Sequence, residues 1–75
     1  MQLNELQKGE KAIIESFLDK ELSLTLMEHG IMPNQEVEIL YVAPFKGPMA
    51  IQVNENVVSI RNEEAQRILI KDGRA

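Results

Sequence analysis

His29, the single histidine of this 75-residue chain, is the side chain best suited to bind a metal or to transfer a proton. It lies in the stretch MEHGIMPNQEVEIL, directly before Gly30. A metal site needs a second ligand that converges with the histidine. On a shared helix Glu28 would point about 100° away from His29, whereas Glu21 would lie nearer to the face of His29. The sequence favours a structural position for His29 at a helix end, its ring over apolar helix residues. A divalent metal held by His29 with Glu21 or Glu28 stays open as the alternative.

The residue pattern does not support catalysis by a nucleophile. A reactive serine needs a base and an orienting group beside it, and this chain has one His and no Cys. The segment PFKGP lacks the glycines and the following helix of a phosphate-binding loop. The adjacent Glu63 and Glu64 suit the first turn of a helix, where carboxylates oppose the macrodipole. We therefore expect a protein that is not an enzyme.

The loop APFKGPMA contains the best candidate for a partner-binding surface, because loops held by a rigid scaffold commonly carry function. Phe45 would either project as an anchor for a partner or fill the end of the fold, and the sequence leaves both open. Met49 is expected to be buried. The candidate binding residues are Phe45, Lys46, Gly47, Pro48 and Met49.

Two arginines near the end of the chain offer a second place where an anion could bind. Arg61 and Arg67 could contact a phosphate or an acidic partner. The simpler expectation is that they pair at the surface with Glu63 or Glu64, which stabilises a fold only weakly.

Composition restricts the class of protein. The net charge of −4 disfavours nucleic acid and anionic lipid as partners, and with only 4% aromatic residues there is little to stack on bases. No apolar run approaches the ~18 residues that a spanning helix needs, so no membrane insertion is expected. The first residues lack an apolar signal core, which predicts a cytoplasmic protein.

Local signals then predict the elements that position these residues. Residues 12–14 form a short apolar strand, and DKELSLTLMEHG is a strand by alternation or a helix by its caps. Asp19 as N-cap and Gly30 after the last turn favour the helix. Pro33 and Asn34 predict a type II turn, because Pro presets φ and Asn tolerates a positive φ.

The second half of the chain reads as strands joined by short turns. EVEILYVAPF is a strand with Val37, Ile39 and Tyr41 on one face, and MAIQVNENVVSIR is a hairpin that turns at residues 54–56. Asn62 is expected to cap a single helical turn, and RILIK forms a last strand before a polar tail. Four or five short strands with one helix between the first two predict a mainly β fold that closes as a small barrel, one domain over residues 1–75.

The order of these signals resembles the ferrous iron transport protein A (FeoA) family of small SH3-like barrels. The opening L-x-x-L-x-x-G-x-x-A-x-I pattern, the helix end LMEHGIMPNQEVEIL, the loop APFKGP and the closing segment IRNEEAQRILI carry the resemblance over nearly the whole chain. This chain departs from the family at His29, usually Leu, at Asn34, usually Gly, and at Lys46-Gly47, where Gly-Asp is common.

The resemblance implies an accessory role. We expect no cofactor, with Fe(II) as the alternative. FeoA-like proteins are cytoplasmic partners of the large ferrous iron permease that carries a GTP-binding domain, and recruitment to the inner membrane would occur through that permease. The same barrel is similar to the C-terminal domain of iron- and manganese-dependent repressors, so an Fe(II)-sensing domain is the alternative. Strand edges in such a fold also favour self-association.

Overall fold

The computed structural model describes residues 1–71; the polar tail, 72–75, lies outside the described residues. A 3-10 turn at Leu3–Glu5 precedes five strands and two short helices. The strands are β1 (Lys11–Phe17), β2 (Glu36–Val42), β3 (Met49–Val53), β4 (Asn56–Ile60) and β5 (Ile68–Lys71), and the helices are α1 (Lys20–Glu28) and α2 (Asn62–Ala65). The predicted helix between the first two strands is confirmed.

All five strands join one antiparallel sheet in the order β4-β3-β2-β1-β5. Bulges after Ile14 in β1 and after Ile39 in β2 bend the strands and increase their twist. Met1 and Gln2 pair with the outer side of β5. The mainly β fold is confirmed, although β4 and β5 do not pair with each other within residues 1–71, so the hydrogen-bonded sheet remains open there.

The core is entirely apolar in the part of the chain that is described, with no buried polar or charged residue. Each large aliphatic side chain buried in this way stabilises the fold by about 1.5–3 kcal/mol relative to exposure. The buried residues are Leu3, Leu6, Ala12, Ile14, Leu22, Leu26, Ile31, Val37, Ile39, Met49, Ile51, Val53, Ile60, Ala65, Ile68 and Ile70. Both the strands and helix α1 contribute to this single cluster.

Helix α1 begins and ends at the predicted residues. Asp19 is the N-cap, and its side chain accepts a hydrogen bond from the Glu21 backbone N–H at 3.2 Å. At the other end Gly30 has φ +84°, and its N–H donates to the Met27 carbonyl at 3.0 Å. The next N–H, from Ile31, donates to the carbonyl of Leu26 at 2.9 Å, which completes a Schellman motif.

The predicted turn at Pro33 and Asn34 fixes the start of β2 against β1. Asn34 has φ +73°, as a type II turn requires at its third position. Its N–H donates to the Ile14 carbonyl at 2.7 Å, and its side-chain oxygen accepts a hydrogen bond from Lys71 Nζ at 3.0 Å. Asn34 therefore links the turn to both β1 and β5.

Three local predictions were wrong. Tyr41 does not share the buried face of Val37 and Ile39, because the bulge after Ile39 shifts the register, and Tyr41 is 54% exposed. Asn56 belongs to β4, where it pairs with Val53, so the hairpin turn is confined to residues 54 and 55. The N-cap of α2 is Arg61 rather than Asn62.

Candidate functional site

The loop that joins β2 to β3, residues 43–48 and here called the β2–β3 loop, has an unusual backbone. The N–H of Ala43 donates to the Pro48 carbonyl at 2.9 Å, and the N–H of Gly47 donates to the Pro44 carbonyl at 3.1 Å. The two residues inside this inner turn, Phe45 and Lys46, have φ of +59° and +58°. Positive φ at both central positions is the signature of a type I′ turn, which normally contains Asn-Gly.

Exposure settles the question that the sequence left open for Phe45. This residue is 99% exposed, so its ring projects into solvent and does not fill the end of the fold. Lys46 is exposed beside it. Met49 is 3% exposed, which confirms its predicted burial, and it anchors the loop to the core.

Two exposed residues at the end of β2 extend the apolar surface of the loop. Tyr41 is 54% exposed and Val42 is 39% exposed, and they pair across the ladder with Ala50 and Met49. The sequence pattern did not indicate this, because a bulge that changes which face a residue occupies has no reliable signature in the alternation. We call Tyr41, Val42, Phe45 and Lys46 together the loop surface.

Backbone strain makes the loop surface more than a set of exposed residues. An L residue in the left-handed region costs roughly 1–2 kcal/mol, and a bulky aromatic there is an outlier. Phe45 and Lys46 therefore hold an exposed ring and an exposed cation in a backbone conformation that carries an energetic cost. Such strain concentrates at functional sites. The chemistry that this arrangement offers is recognition: an aromatic anchor next to one positive charge.

His29 lies at the end of α1 as its C-cap, with φ −93° and its N–H directed to the Leu26 carbonyl at 3.0 Å. The side chain is exposed and lines an open groove with Thr25 and Leu26. The expected position at the helix end is confirmed, and the expected placement of the ring over Leu22 and Leu26 stays a prediction.

Residues 1–71 contain no group of three or more His, Cys, Asp or Glu side chains placed to hold a metal ion. They also contain no helix long and apolar enough to cross a bilayer.

The two arginines differ in how far their partners match the prediction. The Arg67 guanidinium pairs with the carboxylate of Asp19, the N-cap of α1, and its Nε lies 3.4 Å from the Glu63 carbonyl oxygen. The backbone N–H of Arg61 donates to Glu64 Oε1 at 3.0 Å. The prediction of side-chain pairing with Glu63 or Glu64 was wrong for Arg67, because the fold brings Asp19 to it from 48 positions away.

Comparison with known families gives one match over nearly the whole chain. The profile described as the FeoA domain matches residues 1–72. A candidate Fe(2+) transport protein A of Campylobacter jejuni is 30% identical over 69 residues, which cover 91% of this chain and 93% of the relative.

Solved structures with the same fold agree with this family match. One of them is FeoA of Stenotrophomonas maltophilia in complex with zinc, described as a prokaryotic SH3 domain protein and a candidate activating factor of ferrous iron transport. It superposes with a TM-score of 0.81 at 28% identity, and the match covers 95% of this chain and 89% of that one. A manganese-dependent transcriptional repressor in complex with manganese superposes at 0.85 with 18% identity, covering 95% of this chain and 35% of the repressor chain, a likeness of fold alone.

Proposed function

This chain belongs to the FeoA domain family, whose members have an accessory role in ferrous iron transport, and from that premise we propose that it acts by direct contact with the ferrous iron permease. The contact is made with the permease's cytoplasmic GTP-binding part, through the loop surface. In this proposal the protein is cytoplasmic, reaches the inner membrane only through the permease, and catalyses no reaction itself. Ferrous iron is the cargo of the permease rather than a resident cofactor of this chain.

The observation that carries the proposal is the conformation of Phe45. Its ring is 99% exposed on a turn whose two central residues both have positive φ. Exposed aromatic residues of this kind, once buried in a partner's pocket, supply a large share of the energy of an interface. Lys46 adds a positive charge to the same surface, although the net charge of the chain is −4. This charge would complement an acidic rim around the partner's pocket.

An NMR titration of the isotopically labelled chain with the GTP-binding part of its host's permease tests this proposal. We expect the amide signals of residues 41–49 to shift on addition of the permease domain, with and without Fe(II). Phe45→Ala should abolish these shifts, whereas Leu18→Ala, which truncates another exposed apolar residue away from the loop, should leave them unchanged. Absence of any shift at the loop surface would rule out the proposed contact.

A second candidate function is an Fe(II)-sensing domain, and the zinc complex of the Stenotrophomonas maltophilia relative favours it. In this chain the site would use His29 with Glu21 or Glu28. Anaerobic addition of Fe(II) to the chain alone would then broaden the signals of residues 28–30 selectively, and His29→Gln would remove that effect. Unchanged spectra and an unchanged melting temperature on addition of divalent metal would exclude this alternative.

A further inference from the structure

A groove of about 520 Å³ runs between the C-terminal half of helix α1 and strand β4, on residues other than those of the loop surface. On the helix side Thr25, Leu26, Glu28 and His29 line it, and on the opposite side residues 56–59 of β4 and Glu64 of α2. We call it the β4 groove. No residue of the β2–β3 loop is among those that line it.

One wall of the β4 groove is the open edge of the sheet. Strand β4 pairs with β3 and with no other strand in the described part of the chain. The opposite edge, β5, is covered instead by the N-terminal residues, where the N–H of Ile70 donates to the Met1 carbonyl at 2.9 Å. The fold thus protects one edge of its sheet and leaves the other available for pairing.

The register of the hairpin determines which main-chain groups of β4 face outward. Val53 and Asn56 are the residues that flank the two-residue turn, and they form the first hydrogen-bonded pair. Pairs alternate along an antiparallel ladder, so Val57 and Ser59 occupy the positions whose N–H and C=O groups point away from β3. Within residues 1–71, neither Val57 nor Ser59 makes a main-chain hydrogen bond outside the strands.

Nothing in the sequence of β4 blocks this edge. Open edges are usually protected by lysine, proline or a bulge, and NVVSI contains neither residue and pairs without a register shift. Val57 is 64% exposed, an apolar side chain where a protective charge would be expected.

Charge determines what kind of strand fits. The β4 groove contains two carboxylates, Glu28 and Glu64, and no Lys or Arg among its lining residues. Glu64 accepts a hydrogen bond from the Arg61 backbone N–H, which leaves its charge in place, and neither carboxylate belongs to an ion pair in the described residues. A second copy of the chain would bring the same two carboxylates and a net charge of −4 to this edge. Like charges disfavour that pairing.

We propose that the β4 groove binds an extended, basic peptide segment of a partner protein, which adds a strand to β4. The segment's main chain pairs with the outward groups of Val57 and Ser59, which is the recognition mode of β-strand addition. Its basic side chains face Glu28 and Glu64. This site does not depend on the loop surface, so a partner could contact both or either one.

Short capped peptides test the inference on the whole chain, without the permease. A peptide of alternating Lys and Val should shift the amide signals of residues 25–30 and 56–60, while alternating Glu and Val should not. Insertion of a proline at the centre of the basic peptide should abolish binding, because proline cannot donate to a ladder. No shift with the basic peptide, or equal binding of the acidic one, would overturn the inference.

Two pairs of variants locate the site. Val57→Lys places a charge on the open edge and should abolish binding, whereas Leu24→Lys, on a helix residue that is 57% exposed outside the groove, should preserve it. Glu28→Gln should weaken binding about two- to fivefold, the usual effect of one exposed charge, while Glu15→Gln on the exposed face of β1 should not. Concentration-dependent dimerisation through residues 56–60 in the absence of peptide would instead identify a second copy as the occupant and overturn the assignment.

Discussion

A β-carbon built on Gly47 would lie 2.8 Å from the β-carbon of Ala43, across the mouth of the β2–β3 loop. The carbonyl oxygen of Pro44 would be 3.1 Å away. Both neighbours are held by the main chain rather than at the end of a flexible side chain. The absence of a β-carbon at Gly47 therefore permits the close approach to Ala43 in the tight turn that presents Phe45.

The first prediction is that Gly47→Ala destabilises the chain by about 1–3 kcal/mol, the usual cost of forcing an extra carbon into a tightly packed position. Urea unfolding measures this change. The matched control is the double variant Ala43→Gly with Gly47→Ala, which removes the facing β-carbon. We expect the double variant to recover part of the loss, and strictly additive effects would show that Ala43 is not the obstacle.

The second prediction concerns the ion pair between Arg67 and Asp19. Their side chains are 42% and 33% exposed, so solvent screens the pair, and we expect a coupling of about 0.2–1 kcal/mol. A double-mutant cycle with Arg67→Ala and Asp19→Asn isolates it, because asparagine still caps the helix. The coupling should decline in 1 M NaCl, where the Debye length is about 3 Å. A coupling of several kcal/mol, insensitive to salt, would contradict this view of the pair.

Signals that act within a few residues were readable from the sequence. Asp19 and Gly30 mark the two ends of α1 because capping is a property of residue type at a fixed offset. Asn34 has its predicted positive φ for the same reason. The strands were visible as β-branched runs, and the burial of Met49 followed from its hydrophobicity.

Features that depend on distant residues were not readable. The bulge that exposes Tyr41 arises from pairing with β3, and the partner of Arg67 is 48 positions away. The left-handed conformation of Phe45 and Lys46 was hidden for another reason, because neither residue type favours it. It belongs to a turn that is closed by the hydrogen bond from Gly47 to the Pro44 carbonyl and flanked by the β2–β3 ladder, which only the assembled fold provides.

The third prediction is that Gly30→Ala costs about 1–2 kcal/mol through its backbone alone. Gly30 has φ +84°, and outside its two chain neighbours no atom lies within 4 Å of an added β-carbon, so a clash with the rest of the fold does not contribute. Thermal and urea unfolding measure the change. Gly30→Asn is the control and should cost less, because asparagine tolerates the left-handed region. Equal costs for the two variants would indicate that something other than φ penalises the substitution.

The fourth prediction separates stability from function at the loop surface. Replacement of Phe45 and Lys46 together by Asn and Gly supplies the residues that a type I′ turn favours. We expect this double variant to gain about 1–2 kcal/mol in the free energy of unfolding, because the strain of two L residues at positive φ is relieved. At the same time its affinity for the permease's GTP-binding part should fall about tenfold or more, since the aromatic anchor is lost.

The single variant Phe45→Ala distinguishes the two effects. It removes the same ring but keeps an L residue at a φ of +59°, so we expect the same loss of affinity without the gain in stability. Urea unfolding and titration calorimetry on the three proteins test both halves of the argument. If the Asn-Gly variant bound the permease domain with the same affinity as the parent chain, the strained turn would not contribute to that contact. If it were no more stable than Phe45→Ala, the backbone at residues 45 and 46 would not be strained. A turn that favours binding at the expense of stability should respond to the Asn-Gly replacement with higher stability and lower affinity.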